Sequence, residues 1–152
     1  MSLKQLNEFL ERVGAANDGA SHGSEYALYE LPDADALQTA LDRYFSRLST
    51  SNSAAQPAEN WRIHLTPVHD PGETLARLAR HWFYEQEYSP SVGPARLEGI
   101  ILEFIAQLRF VVGDALVFEV KVAPPMWYDC AWQDFAFDGG SQRWLLHLGF
   151  SD

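Results

Sequence analysis

Cysteine is nearly missing from this 152-residue chain: Cys130 stands alone, so no internal disulfide can form and the fold must hold without covalent staples. Basic residues are scarce too. Eleven Lys and Arg face 21 Asp and Glu for a formal net charge of -10, and only Lys4 and Lys121 are lysines. Binding nucleic acid requires a basic surface to neutralise phosphates, so nucleic acid is not an expected partner, whereas a basic protein is. The preference for Arg over Lys points to a GC-rich bacterial genome. No apolar run approaches the ~20 residues that span a bilayer, and the N-terminus lacks a basic segment followed by an apolar one. The expectation is a cytoplasmic protein with no membrane contact.

Recognisable chemical motifs are missing as well. There is no GxGxxG, GxxxxGK[ST], GxSxG, paired CxxC, HExxH or EF-hand loop, which removes the most legible nucleotide, hydrolase, zinc and calcium classes. No cofactor is expected. What the chain has is apolar and aromatic mass, 47% hydrophobic and 13% aromatic. At this length a single domain buries roughly 68–70% of its unfolded surface, enough to fold without a metal.

Hydrophobic periodicity supplies the elements. Ser2 and Gln5 form a capping box before an amphipathic helix carrying Leu3, Leu6, Phe9, Leu10 and Val13. Residues 15–24 and 49–60 are small and polar and read as flexible loops. Between them lie a strand over 26–31 and a helix with Leu37, Leu41, Tyr44 and Leu48 on one face, capped by Asp33 or Asp35. Trp61, Ile63 and Leu65 alternate as in a strand. Asp70 then caps a helix with Pro71 in its first turn. Residues 96–112 fit both periods and are assigned to helix because Leu, Glu, Gln, Ala and Arg favour it. Residues 115–122 follow as a strand with Leu116, Phe118, Val120 and Val122 inward. The expected order, α-β-α-β-α-α-β-β-β, describes a single α+β domain, residues 1–152, whose C-terminal antiparallel meander packs against amphipathic helices.

The stretch 126–150, MWYDCAWQDFAFDGGSQRWLLHLGF, reads as a hairpin reversing at its glycines. With a three-residue loop over Asp138, Gly139 and Gly140, Tyr128, Cys130, Trp132, Trp144, Leu146, Leu148 and Phe150 share a core face. Asp129, Gln133, Phe135, Arg143, Leu145 and His147 share the other. A two-residue Gly-Gly loop instead puts Trp144 with Phe135 and Trp132 with His147. The three-residue register sorts polar from apolar more cleanly and is the expected one, with Cys130 buried.

Two constellations carry candidate chemistry. His147 beside Asp129, with Arg143 on the same face, is the beginning of a general base, since a carboxylate orients the ring and raises its basicity, but no nucleophile completes it. His69, His81 and Glu85 are the metal candidates, because His81 and Glu85 are spaced i,i+4 ahead of which His69 lies; a hydrogen-bonded surface pair explains that spacing equally well. The leading expectation is a non-enzymatic acidic protein-binding domain, in its most specific form a bacterial immunity or inhibitor protein that neutralises a basic partner. Its binding surface comprises Trp127, Asp129, Gln133, Asp134, Phe135, Arg143 and His147. The alternative is a ligand-binding protein or enzyme with a His/Asp/Arg pocket between the ribbon and the helix that follows Asp70. Either a monomer or a homodimer is compatible with the pattern.

Overall fold

A computed structural model describes residues 2–152 of the chain. In chain order the elements are α1 (Leu3–Ala15), β1 (Gly23–Glu30), α2 (Leu37–Ser46), a 3-10 turn (Ala58–Trp61), β2 (His64–Pro67), α3 (Pro71–Tyr84), α4 (Pro94–Val112), β3 (Leu116–Lys121), β4 (Ala131–Asp138) and β5 (Arg143–Ser151). The strands make one antiparallel sheet in the order β1-β5-β4-β3-β2. This is the α+β domain with a C-terminal meander that the periodicity predicts. No helix is long and apolar enough to cross a membrane among the described residues.

Local chemistry explains the helix starts. Ser2 Oγ accepts the Gln5 amide at 3.2 Å and Asp70 Oδ1 accepts the Glu73 amide at 3.3 Å, each satisfying an amide that a first helical turn leaves free. Pro71 and Pro94 sit in first turns, where a missing N–H costs nothing. α2 departs from expectation: neither Asp33 nor Asp35 caps it, and Ala36 holds the cap position with no side-chain bond. The 96–112 segment is helical and stops at Gly113, whose φ of 64° ends the run. β1 begins at Gly23, three residues before the expected strand, and Trp61 closes the 3-10 turn instead of opening a strand.

The sheet is covered on both faces. On one side α1, α3 and α4 pack Leu6, Leu10, Phe83, Phe104 and Leu108 against Tyr26, Leu28, Val117, Phe135, Phe137, Trp144, Leu146 and Leu148. On the other, α2 and the 3-10 turn place Leu41, Phe45 and Trp61 against Val120, Ala136 and Leu145. With two covered faces, in-and-out alternation loses its meaning for the interior strands, and β5 is buried from Arg143 through Gly149. Leu116, expected inward, lies at a strand end and is exposed, while its neighbour Val117 enters the larger core.

The hairpin register differs from the expected one. Asp138 pairs with Arg143, Phe137 with Trp144, Phe135 with Leu146 and Asp134 with His147, around a turn closed by the Gly139 amide on the Gln142 carbonyl at 2.9 Å. Four residues separate the strands and Gly140 alone among them takes a positive φ, 85°. The expected three-residue loop is therefore wrong by parity. Trp144 shares a face with Phe135 and Phe137, and Trp132 shares one with His147, which is the sorting of the two-residue alternative. The winning register puts all three of Phe135, Phe137 and Trp144 into the helix-covered core, an apolar burial the polar-versus-apolar criterion undervalued.

Candidate functional site

The polar residues read from the sequence do not form one surface. Gln133 points to the larger core, where its side-chain oxygen accepts the Trp82 indole N–H at 2.8 Å. Phe135 is 2% exposed and belongs to that core too. Arg143 sits at the hairpin end, donating to Asp138 at 2.8 Å and to the carbonyls of Ala34 and Asp35, so it ties the β5 start to the loop before α2 and is remote in register from His147. Trp127 remains on the surface at 57% exposure. Cys130, expected buried, is exposed. A cavity of about 360 Å³ between α3 and the sheet is lined by His81, Glu85, Gln133 and Phe135, and by none of Asp129, Arg143 or His147.

His147, Asp129 and Asp134 do meet, on the α2 side of the sheet. Asp134 lies directly opposite His147 in the β4–β5 ladder, and its Oδ1 is 2.6 Å from His147 Nδ1. Asp129, from the segment that leads into β4, brings Oδ2 to 2.8 Å from the other ring nitrogen, Nε2. The Tyr128 hydroxyl donates to Asp134 Oδ2 at 2.7 Å, and its ring packs edge-on against the imidazole and against Trp61. Glu25 of β1 stands at the rim with a carboxylate oxygen 3.9 Å from His147 Nε2. Asp129 and Asp134 side chains are fully buried, whereas that of Glu25 is half exposed.

The electrostatics follow from this packing. Burial opposes the charged form of His147, but hydrogen bonds to Asp129 and Asp134 and the charges of both carboxylates outweigh it and push its pKa up to about 9. Burial raises the Glu25 pKa, and the nearby Asp129 charge adds to the effect. Burial and the Asp134 charge also keep the Tyr128 phenol protonated, as a donor. Asp129 Oδ1 is buried without a hydrogen-bond partner among the described residues. The arrangement can hold a proton between two carboxylates or, with Nδ1–H kept on Asp134, present Nε2 and two carboxylates to a cation. The hydroxyl that approaches the ring, that of Tyr128 at 3.2 Å from Nδ1, already donates to Asp134.

Close approach here depends on Gly149, which pairs with Trp132 on β4 and Glu25 on β1. A Cβ at that position would stand 2.9 Å from both the Ala131 carbonyl and His147 Nε2, and closer still to Asp129 Oδ2. Among the metal candidates, His81 Nδ1 lies 3.6 Å from Glu85 as an exposed i,i+4 pair, and His69 joins no ligand-forming group among the described residues. Sequence reasoning missed Glu25 and the role of Tyr128. The signal for Glu25 was an earlier start to β1, since its alternation then places Glu25 on the His147 face.

No protein-family model matches the chain, and no curated protein matches it by sequence. A solved structure similar to it is the crystal structure of citrus MAF1 in space group C 2 2 21, with a TM-score of 0.55 over 99% of this chain and 98% of that one at 11% identity. That likeness is one of fold.

Proposed function

We propose that the chain is a non-enzymatic acidic domain that binds a basic protein, and that the outer face of α4 is its docking surface. The observation that carries this reading is Leu102 and Phe110, which are 67% and 69% exposed on that helix with Ala106 between them at i,i+4 spacing. Large apolar side chains in a row on a helix exterior cost solvation unless a partner covers them. Meanwhile the groups suited to catalysis are turned inward and held by separate partners: His147, 4% exposed, by Asp129 and Asp134, and Arg143, 8% exposed, by Asp138. The net charge of -10 favours encounter with a basic partner, the combination expected of an inhibitor that neutralises a basic toxin or nuclease.

The test is affinity capture with the full chain at low and moderate salt, alongside Phe110→Asp and Leu102→Asp variants. A stoichiometric basic partner, retained less as salt rises and lost from both variants, supports the reading. Capture of no stoichiometric protein at low salt, or equal capture by the variants, refutes it. Trp127→Ala serves as a comparison, because Trp127 is the one member of the sequence-derived surface patch that stays largely exposed among the described residues.

A further inference from the structure

We propose that Glu25, Asp129 and His147 form a binding site for one divalent transition-metal ion of the zinc class. None of these residues lies on the outer face of α4.

Charge balance is the first argument. Three carboxylates face one imidazole, at 2.6, 2.8 and 3.9 Å, and two of them have fully buried side chains. A single imidazolium leaves that cluster negative, and buried negative charge is costly unless compensated. A second observation is independent of the cluster's composition: Asp129 holds Oδ2 against the imidazole while its Oδ1 is buried with no hydrogen-bond partner among the described residues, so the carboxylate keeps an acceptor unused.

Geometry is the third. One ligand atom from each of Glu25, Asp129 and His147 lies within 4.8 Å of the others. Bonds of about 2.0–2.2 Å in a tetrahedral set separate the donors by about 3.4 Å. The contacts of 2.8 Å between Asp129 and Nε2 and 3.9 Å between Glu25 and Nε2 straddle that value, so small side-chain rotations suffice. Asp134 meanwhile takes the Nδ1 proton and is itself held by Tyr128, the outer-shell arrangement that fixes a ligating histidine with Nε2 toward the metal. Gly149 leaves the adjoining space free of a Cβ.

Ligand chemistry selects the ion. An imidazole nitrogen with two carboxylates suits zinc and neighbouring transition ions better than calcium or magnesium, which take oxygen ligands in larger number. The half-exposed Glu25 gives a route from solvent and lets water complete the shell. On binding, the ion replaces the proton between Nε2 and Asp129.

EDTA-treated full-length protein is titrated with zinc chloride by calorimetry and by thermal melting, alongside Glu25→Gln, Asp129→Asn and His81→Ala. Circular dichroism of each variant reports folding. The expected result is one ion per chain, a melting temperature raised by about 5–10 °C at zinc 100-fold above its Kd, and at least ten-fold weaker binding by folded Glu25→Gln. Glu25→Gln alters only a rim side chain and keeps the test valid if Asp129→Asn fails to fold. His81→Ala should bind as the parent does. Absence of zinc binding, binding that Glu25→Gln leaves unchanged, or binding abolished by His81→Ala overturns the assignment.

Discussion

Replacing Gly149 by alanine tests whether the polar network depends on the close approach of strand and carboxylate. The added Cβ would lie 2.9 Å from the Ala131 carbonyl and from His147 Nε2, and closer to Asp129 Oδ2, so something must move. Neither the ladder carbonyl nor the buried carboxylate is a flexible side-chain tip. The movement lengthens the 2.8 Å contact between Asp129 and His147. Losing a hydrogen bond to a charged group costs about 1.5–3 kcal/mol, and stranding a buried charge costs about 3–5 kcal/mol. Reduced freedom of the unfolded chain returns about 0.4–1 kcal/mol. The net expectation is a destabilisation of about 2–4 kcal/mol, or a fall in Tm of roughly 5–15 °C for a chain of this size. Urea unfolding of EDTA-treated protein measures it as a lower midpoint at unchanged slope. Gly99→Ala on α4, where the Cβ meets nothing within 4 Å, should instead stabilise by about 0.5–1 kcal/mol. In an Asp129→Ala background the Gly149→Ala penalty should shrink by about 1 kcal/mol or more. A Gly149→Ala protein within about 0.5 kcal/mol of the parent would show that the network does not need this close approach.

Other consequences are measurable in the same assays. In EDTA-treated protein the folded His147 pKa of about 9 against an ordinary 6.5 stabilises the fold by about 3 kcal/mol below pH 6.5, and that contribution fades as pH rises through 9. His147→Gln should remove this slope from urea unfolding between pH 6 and 10; an unchanged slope refutes the assignment. Trp61 is fully buried with its indole N–H unbonded among the described residues, so Trp61→Ala should cost about 3–5 kcal/mol and Trp61→Phe far less, a ranking that equal losses would contradict. Phe110→Asp should leave the unfolding free energy within about 0.5 kcal/mol, because that side chain is mostly in water; a loss above about 2 kcal/mol would place it in the core.

Much of the fold was legible because its signals are local. Asp70 and Pro71 mark the α3 start in adjacent positions, and the apolar stripe of α4 survives a competing strand period because its residues favour helix. The pairing of His147 with a nearby aspartate was legible too, although Asp134 is the directly opposed partner and Asp129 arrives from outside the strand. Register was where local reasoning failed. The three-residue loop sorted polar from apolar residues on the premise of one wet sheet face, and α2 with the 3-10 turn removes that premise by covering the second face. Phe135 and Gln133 thereby moved from a surface with His147 to the opposite core.

The succession of elements and the α+β class are written locally, since helix period, capping residues and turn glycines act over a few neighbouring positions, and the acidic charge follows from composition. The meeting of Glu25, from a strand 122 positions before His147, with Asp129 and Asp134 around one imidazole belongs to the assembled fold. Strand order set that meeting: β1 pairs with β5, and no local propensity encodes which distant strand closes a sheet.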